Sequence, residues 1–141
     1  MTPGAAVAAA VSFTWLGMVL AISFLEAPLK FRAPGVSVPL GLGIGRLVFR
    51  ALNAVEGTLA VALITAAALS GAAPGAVTAA AVVIAILVVQ LAAVRPRLSR
   101  RTDRILAGAD APRSRGHLAY IILESAKVAA LIVTGVLLLS A

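Results

Sequence analysis

The residues of this chain that could do chemistry are few, and they recur at helical intervals. Arg46, Arg50, Asn53 and Glu56 or Gly57 follow one another at steps of three and four, which places them on one stripe of a helix. His117, Tyr120, Glu124 and Lys127 make a second stripe with the same spacing. Ser23, Glu26 and, past Pro28, Lys30 close an earlier apolar run. Carboxylates set beside cations in apolar helices can hold a proton or a small cation against a counter-charge. An ionised side chain at mid-bilayer costs about 2.5–3.5 kcal/mol on insertion scales, so such residues mark a site by default. The expected cluster is Glu26, Arg50, Asn53, Glu56, Glu124 and Lys127, with Arg46, His117 and Tyr120 at its mouth. Glu56 and Glu124 are its proton or cation acceptors. Arg50 and Lys127 are their counter-charges or anion contacts. The same stripes have a plainer reading as interhelical glue and topology markers. Side chains lean toward a helix's own amino terminus, so Lys127 can snorkel to the interface. Gln90 reads as an interhelical hydrogen-bonding residue.

Other chemistry is excluded by what the chain lacks. It has no cysteine and one histidine, so thiolate nucleophiles, disulfides, a bis-histidine haem and the usual zinc ligand sets are not expected. No serine–histidine–acid spacing is defensible. The expectation is a protein with no catalytic residues, no metal and no cofactor, and not an enzyme.

The elements that must carry these residues follow from composition. The 141 residues are 62% hydrophobic and 12% charged, with a mean hydropathy of +1.09. A soluble domain is nearer half apolar and about a quarter charged, so a soluble enzyme and a disordered tail are excluded. An apolar helix needs roughly 20 residues to cross about 30 Å of hydrocarbon. Spans are expected at about 5–25, 51–69, 75–94 and 117–140. The long uncharged run 57–94 is split by Ser70-Gly71-Ala72-Ala73-Pro74-Gly75. The first run has no basic n-region and reads as a retained span, not a signal peptide. Hydrocarbon offers open backbone groups no partners, so the spans must be helices.

The ten arginines and two lysines set the orientation. Lys30, Arg32, Arg46 and Arg50 lie around the first connection. Arg95, Arg97, Arg100, Arg101, Arg104, Arg113 and Arg115 lie around the third. The amino terminus, the 70–75 turn and the carboxyl terminus have neither Lys nor Arg. The positive-inside rule makes the basic side cytoplasmic and puts both termini outside. A net charge of +7 could also suit nucleic acid, but few aromatics are available for stacking, and no nucleic-acid role is expected.

The two halves, about 1–70 and 71–141, resemble each other. Gly45-Arg46-Leu47-Val48-Phe49 aligns with Gly116-His117-Leu118-Ala119-Tyr120 at an offset of 71 residues. Asn53 then falls on Glu124, and Glu56 on Lys127. The expected fold is all-α and integral to the membrane: one domain of four transmembrane helices, built as two hairpin repeats about an axis along the membrane normal. Such a repeat sets Glu56 opposite Lys127 and Asn53 beside Glu124.

The connections leave alternatives open. Arg97, Arg100, Arg101 and Arg104 share a helical face, which suits a short helix on anionic lipid headgroups. A plain basic loop that sets topology explains them equally well. Residues 36–45, apolar and glycine-rich, fit either an interfacial segment or an amino-terminal extension of the second span begun by Pro39.

Phe24-Leu25-Glu26-Ala27-Pro28-Leu29-Lys30-Phe31, the Gly45–Phe49 stretch and the polar last helix resemble a family of small, largely uncharacterised four-span membrane proteins, one branch of which is associated with cisplatin resistance. The resemblance covers about a third of the chain. It implies a four-helix bundle and carries over no catalytic residues. The expected function is binding or transport of a small solute or ion at the polar cluster of a multi-pass protein of the plasma or inner membrane. The alternative is a non-catalytic accessory or structural subunit of a membrane complex, or a homo-oligomer, packed through small residues.

Overall fold

The computed structural model describes residues 1–110 and 115–140. Arg113, counted above with the basic third connection, lies outside them. Four helices, α1 (Pro3–Arg32), α2 (Val38–Ser70), α3 (Pro74–Leu106) and α4 (Arg115–Leu139), are each long and apolar enough to cross a membrane. No strand is present among the described residues.

Helix boundaries follow from capping chemistry. The Thr2 side chain accepts the Ala5 N–H and Pro3 opens α1. The Ser37 hydroxyl accepts the Leu40 N–H and Pro39 lies in the first turn of α2, where its missing N–H costs nothing. The apolar 38–45 stretch is thus the start of α2, not a separate interfacial segment. Gly71 ends α2 at φ +62°, a left-handed conformation that glycine adopts without a Cβ penalty, and Pro74 opens α3 directly afterwards.

At 33 residues, α2 and α3 exceed the apolar runs that mark their spans; about 50 Å of helix is more than roughly 30 Å of hydrocarbon needs. The excess of both lies at the arginine-rich end, where the two extensions pack together. Arg46 donates to Asp103 Oδ1 at 2.6 Å and to the Ser99 carbonyl at 3.2 Å. Thr102 and Ile105 are buried beneath them. Residues 95–106 are therefore helical and continuous with α3 rather than a loop; Arg97, Arg100 and Arg104 face outward and Arg101 is half-buried.

Two local distortions have one cause. Helix α1 widens to π geometry over Leu20–Glu26, just before Pro28. Helix α3 does so over Gln90–Val94, just before Pro96. An internal proline cannot donate to the carbonyl four residues back and collides with it, and a wide turn accommodates both faults.

Helix α1 packs along both α2 and α4, and α4 along α3, while α2 and α3 meet less closely. The core of the apolar half is made of Val19, Leu63, Val83, Leu87, Leu131 and Leu138 with small alanines between them. The outward faces are apolar as well: Leu69 is 82% exposed, Leu47 67% and Val61 65%. Water-facing bundles rarely expose so continuous an apolar surface.

Candidate functional site

The buried stripe of α4 runs Gly116, Tyr120, Glu124, Lys127, Leu131, Thr134 and Leu138. That of α2 runs Gly45, Leu52, Glu56, Ala60 and Leu63. These stripes carry three charges into the centre of the bundle: Glu56 and Lys127 are 0% exposed and Glu124 1%. The Lys127 ammonium is their hub. It donates to Glu56 Oε2, lies 2.7 Å from Glu124 Oε1, and donates to Gln90 Oε1 at 2.9 Å. One cation thereby ties α2, α3 and α4 together.

The neighbouring donors complete the network. Trp15 Nε1 of α1 donates to Glu56 Oε2 at 2.7 Å. Glu124 Oε2 receives the Ser23 hydroxyl at 2.6 Å and the Tyr120 hydroxyl at 2.8 Å. Gln90 Nε2 reaches Glu124 Oε1 at 3.2 Å. Both widened turns contribute, since Ser23 lies within the first and Gln90 opens the second. Every oxygen of Glu124 is saturated with donors. Glu56 is not: its Oε1 is buried and has no hydrogen-bond partner. With all three groups ionised, two carboxylates against one ammonium leave a formal charge of −1 in the core.

The structure brings together Glu56, Tyr120, Glu124 and Lys127 from the expected cluster and disperses the rest. Glu26 pairs instead with Lys30, at 3.5 Å. Arg46 is engaged by Asp103. Arg50 is exposed, Asn53 and His117 are half-buried, and Asn53 makes no bond to Glu124. The reason is rotational. Arg46, Arg50, Asn53 and Gly57 form a stripe set one residue on from the buried one of Gly45, Leu52 and Glu56, and one residue is about 100° of helix.

Sequence reasoning placed Trp15 nowhere in the site and used Arg95 and Phe49 only for topology and repeat. Arg95 lies with its Cζ 4.7 Å from the Phe49 ring centre and 4.8 Å from that of Tyr120. Those rings meet edge to face with centres 5.7 Å apart. The signal available for Trp15 was its status as the one tryptophan of the chain, in an apolar helix where an indole N–H needs an acceptor. A shallow apolar crevice of about 430 Å³ lies elsewhere, between α1 and α2 at the apolar end, lined by Pro3, Val7, Ala62 and Leu69 among others.

No protein-family model, curated protein or solved structure matches this chain.

Proposed function

We propose that the protein is a multi-pass membrane protein that binds a proton in the centre of its bundle and couples it to passage of a small solute or ion. In this reading the four helices cross the plasma or inner membrane, the arginine-rich end faces the cytoplasm, and both termini lie outside. The two halves are hairpin repeats. Their equivalent second helices supply Glu56 and Lys127, and the proline-linked widened turns of α1 and α3 match in kind. The exposed arginines 97, 100 and 104 meet anionic headgroups.

The observation that carries the reading is the pairing of two fully buried glutamates with one lysine. An uncompensated charge in a low-dielectric core is strongly disfavoured, and a single proton on Glu56 Oε1 removes it. The charged and titratable groups facing that position are Glu124, Lys127 and Tyr120 from α4, and Trp15 and Gln90 add polar contacts from α1 and α3. The role is carriage, not catalysis.

The test is reconstitution into liposomes holding a pH-sensitive dye. Wild-type vesicles should equilibrate an imposed pH gradient faster than empty ones, and Glu56→Gln should abolish the difference. Wild-type vesicles no leakier than empty ones would remove the reading.

A second reading, an accessory or structural subunit, is favoured by one specific feature. The head groups are directly paired inside the protein, with every polar atom of Glu124, Gln90 and Lys127 described above engaged by a protein neighbour. If so, Glu56→Gln leaves flux unchanged and alters only the stability of the bundle.

A further inference from the structure

Beyond the core network, at the arginine-rich end, a second group of polar atoms is buried and short of partners. Arg95 follows the widened turn of α3, and its Nε and Nη2 are both buried without a hydrogen-bond partner. These two atoms form one edge of the guanidinium, the edge whose parallel N–H groups receive a carboxylate or phosphate in bidentate fashion. Phe49 and Tyr120 lie on one side of the guanidinium, 4.7 and 4.8 Å from its Cζ, and offer it ring contact but no acceptor, so the edge is what remains to bind. The Lys30 side chain is 10% exposed. Its Nζ also has no hydrogen bond and lies 5.9 Å from the centre of the same Phe49 ring. The opposing charge nearby is Glu26, whose Oε2 is 3.5 Å from Lys30 Nζ. Arg46 is already committed to Asp103. Two cations against one carboxylate leave this corner one positive charge in excess: the Arg95 edge has no acceptor, and Lys30 Nζ has the Glu26 ion pair but no hydrogen bond.

Buried donors of a charged group are nearly always satisfied, and leaving them open is costly. Cation–π contact with the two rings partly compensates the charge of Arg95 but provides no acceptor for its N–H groups. We propose that Arg95 and Lys30 form an oxyanion site for a phosphate group, held bidentate on the Arg95 edge, with Phe49 and Tyr120 as its walls. The phosphate is either a free oxyanion or a lipid headgroup, since both present the same oxygens. The inference stands independently of proton binding in the core, because it uses no property of Glu56, Glu124 or Lys127.

The experiment uses the full chain in two arms. In the first, delipidated protein in a nonionic detergent is titrated with inorganic phosphate and followed by phosphorus NMR. In the second, protein in nanodiscs of phosphatidylcholine with a minor share of phosphatidylglycerol is exchanged into detergent, and retained lipid is measured by mass spectrometry. Saturable phosphate binding without lipid enrichment assigns the site to a free oxyanion, and selective retention of phosphatidylglycerol assigns it to a headgroup. In the positive arm Arg95→Gln should weaken binding by about tenfold to a hundredfold. Arg95→Lys should lose part of that, because it keeps charge without the fork. Arg32→Gln, an exposed arginine at the basic end of α1, should change nothing. If Arg95→Gln does not fold, Lys30→Gln provides the comparison and should weaken binding several-fold. Wild-type protein negative in both arms, or Arg95 and Lys30 variants that bind like Arg32→Gln, would overturn the proposal.

Discussion

Removing the Lys127 ammonium should damage the protein far more than removing either carboxylate. Lys127→Met keeps side-chain length and apolar bulk but strands Glu56 and Glu124, 0% and 1% exposed, without the cation they share. With the proposed proton on Glu56, the charge of the core moves from zero to −1. Breaking a buried pair by deleting one partner costs about 3–5 kcal/mol, which is roughly two to four orders of magnitude in the unfolding equilibrium. Glu56→Gln leaves the charge at zero. Its amide oxygen can still accept from Trp15 and Lys127, so its cost should stay near that of one hydrogen bond, about 1 kcal/mol. The stranded carboxylates of Lys127→Met must take up protons to remain buried, so its folded state binds more protons than its unfolded state. Stability then falls as pH rises and recovers as pH is lowered. Denaturation by sodium dodecyl sulfate in mixed micelles measures all of this, read from the emission of Trp15, the one tryptophan in the chain. A Lys127→Met protein within about 1 kcal/mol of wild type, with a flat pH profile, would refute the reasoning, since about 3–5 kcal/mol is expected.

Trp15→Phe removes the donor to Glu56 Oε2 and should cost about 1.5–3 kcal/mol, the range for a hydrogen bond to a charged group; unfolding of this variant must be followed by circular dichroism. A Cβ at Gly4 would come within 2.9 Å of the Ser70 Cβ and 3.3 Å of the Ala66 carbonyl oxygen. Gly4→Val should therefore destabilise by about 1–3 kcal/mol through overpacking. Gly17 has nothing within 4 Å, so Gly17→Ala should be neutral or stabilise by up to about 1 kcal/mol; thermal melts in one detergent compare the two. Because the chain has no cysteine, single variants report topology cleanly. Ala73→Cys should be labelled by a membrane-impermeant maleimide in intact cells, whereas Ala109→Cys should be labelled only after permeabilisation.

Much of the architecture was legible because hydrophobic length and turn chemistry are local. The Ser70–Gly75 turn and the polar face of α4 could be read from residue order alone, since Tyr120, Glu124 and Lys127 share a face in any straight helix. The polar face of α2 could not be resolved to better than one residue. Arg46, Arg50 and Asn53 make as regular a stripe as Gly45, Leu52 and Glu56, and packing against α1 and α4 decides which one turns inward. The helical extensions at the basic end were obscured by their charge, because a hydropathy criterion stops at the first arginine while the backbone continues. Ser23 and Gln90 reach Glu124 from turns whose π geometry shifts the helical phase, a change that ordinary helical spacing does not anticipate. Pro28 and Pro96 were the signals for it. Arg95 was visible as a charge; its contact with the edge-to-face pair of Phe49 and Tyr120 is a tertiary fact.

The central claim is that a single proton occupies Glu56 and balances the core. Infrared difference spectroscopy of the reconstituted protein, with hydrogen exchanged for deuterium, observes it directly. The account predicts one carbonyl stretch of a buried protonated carboxyl group at neutral pH, shifted in deuterium oxide and absent from Glu56→Gln while Glu124→Asp retains it. A spectrum in which every carboxyl group is ionised, or a band that survives Glu56→Gln, would contradict it.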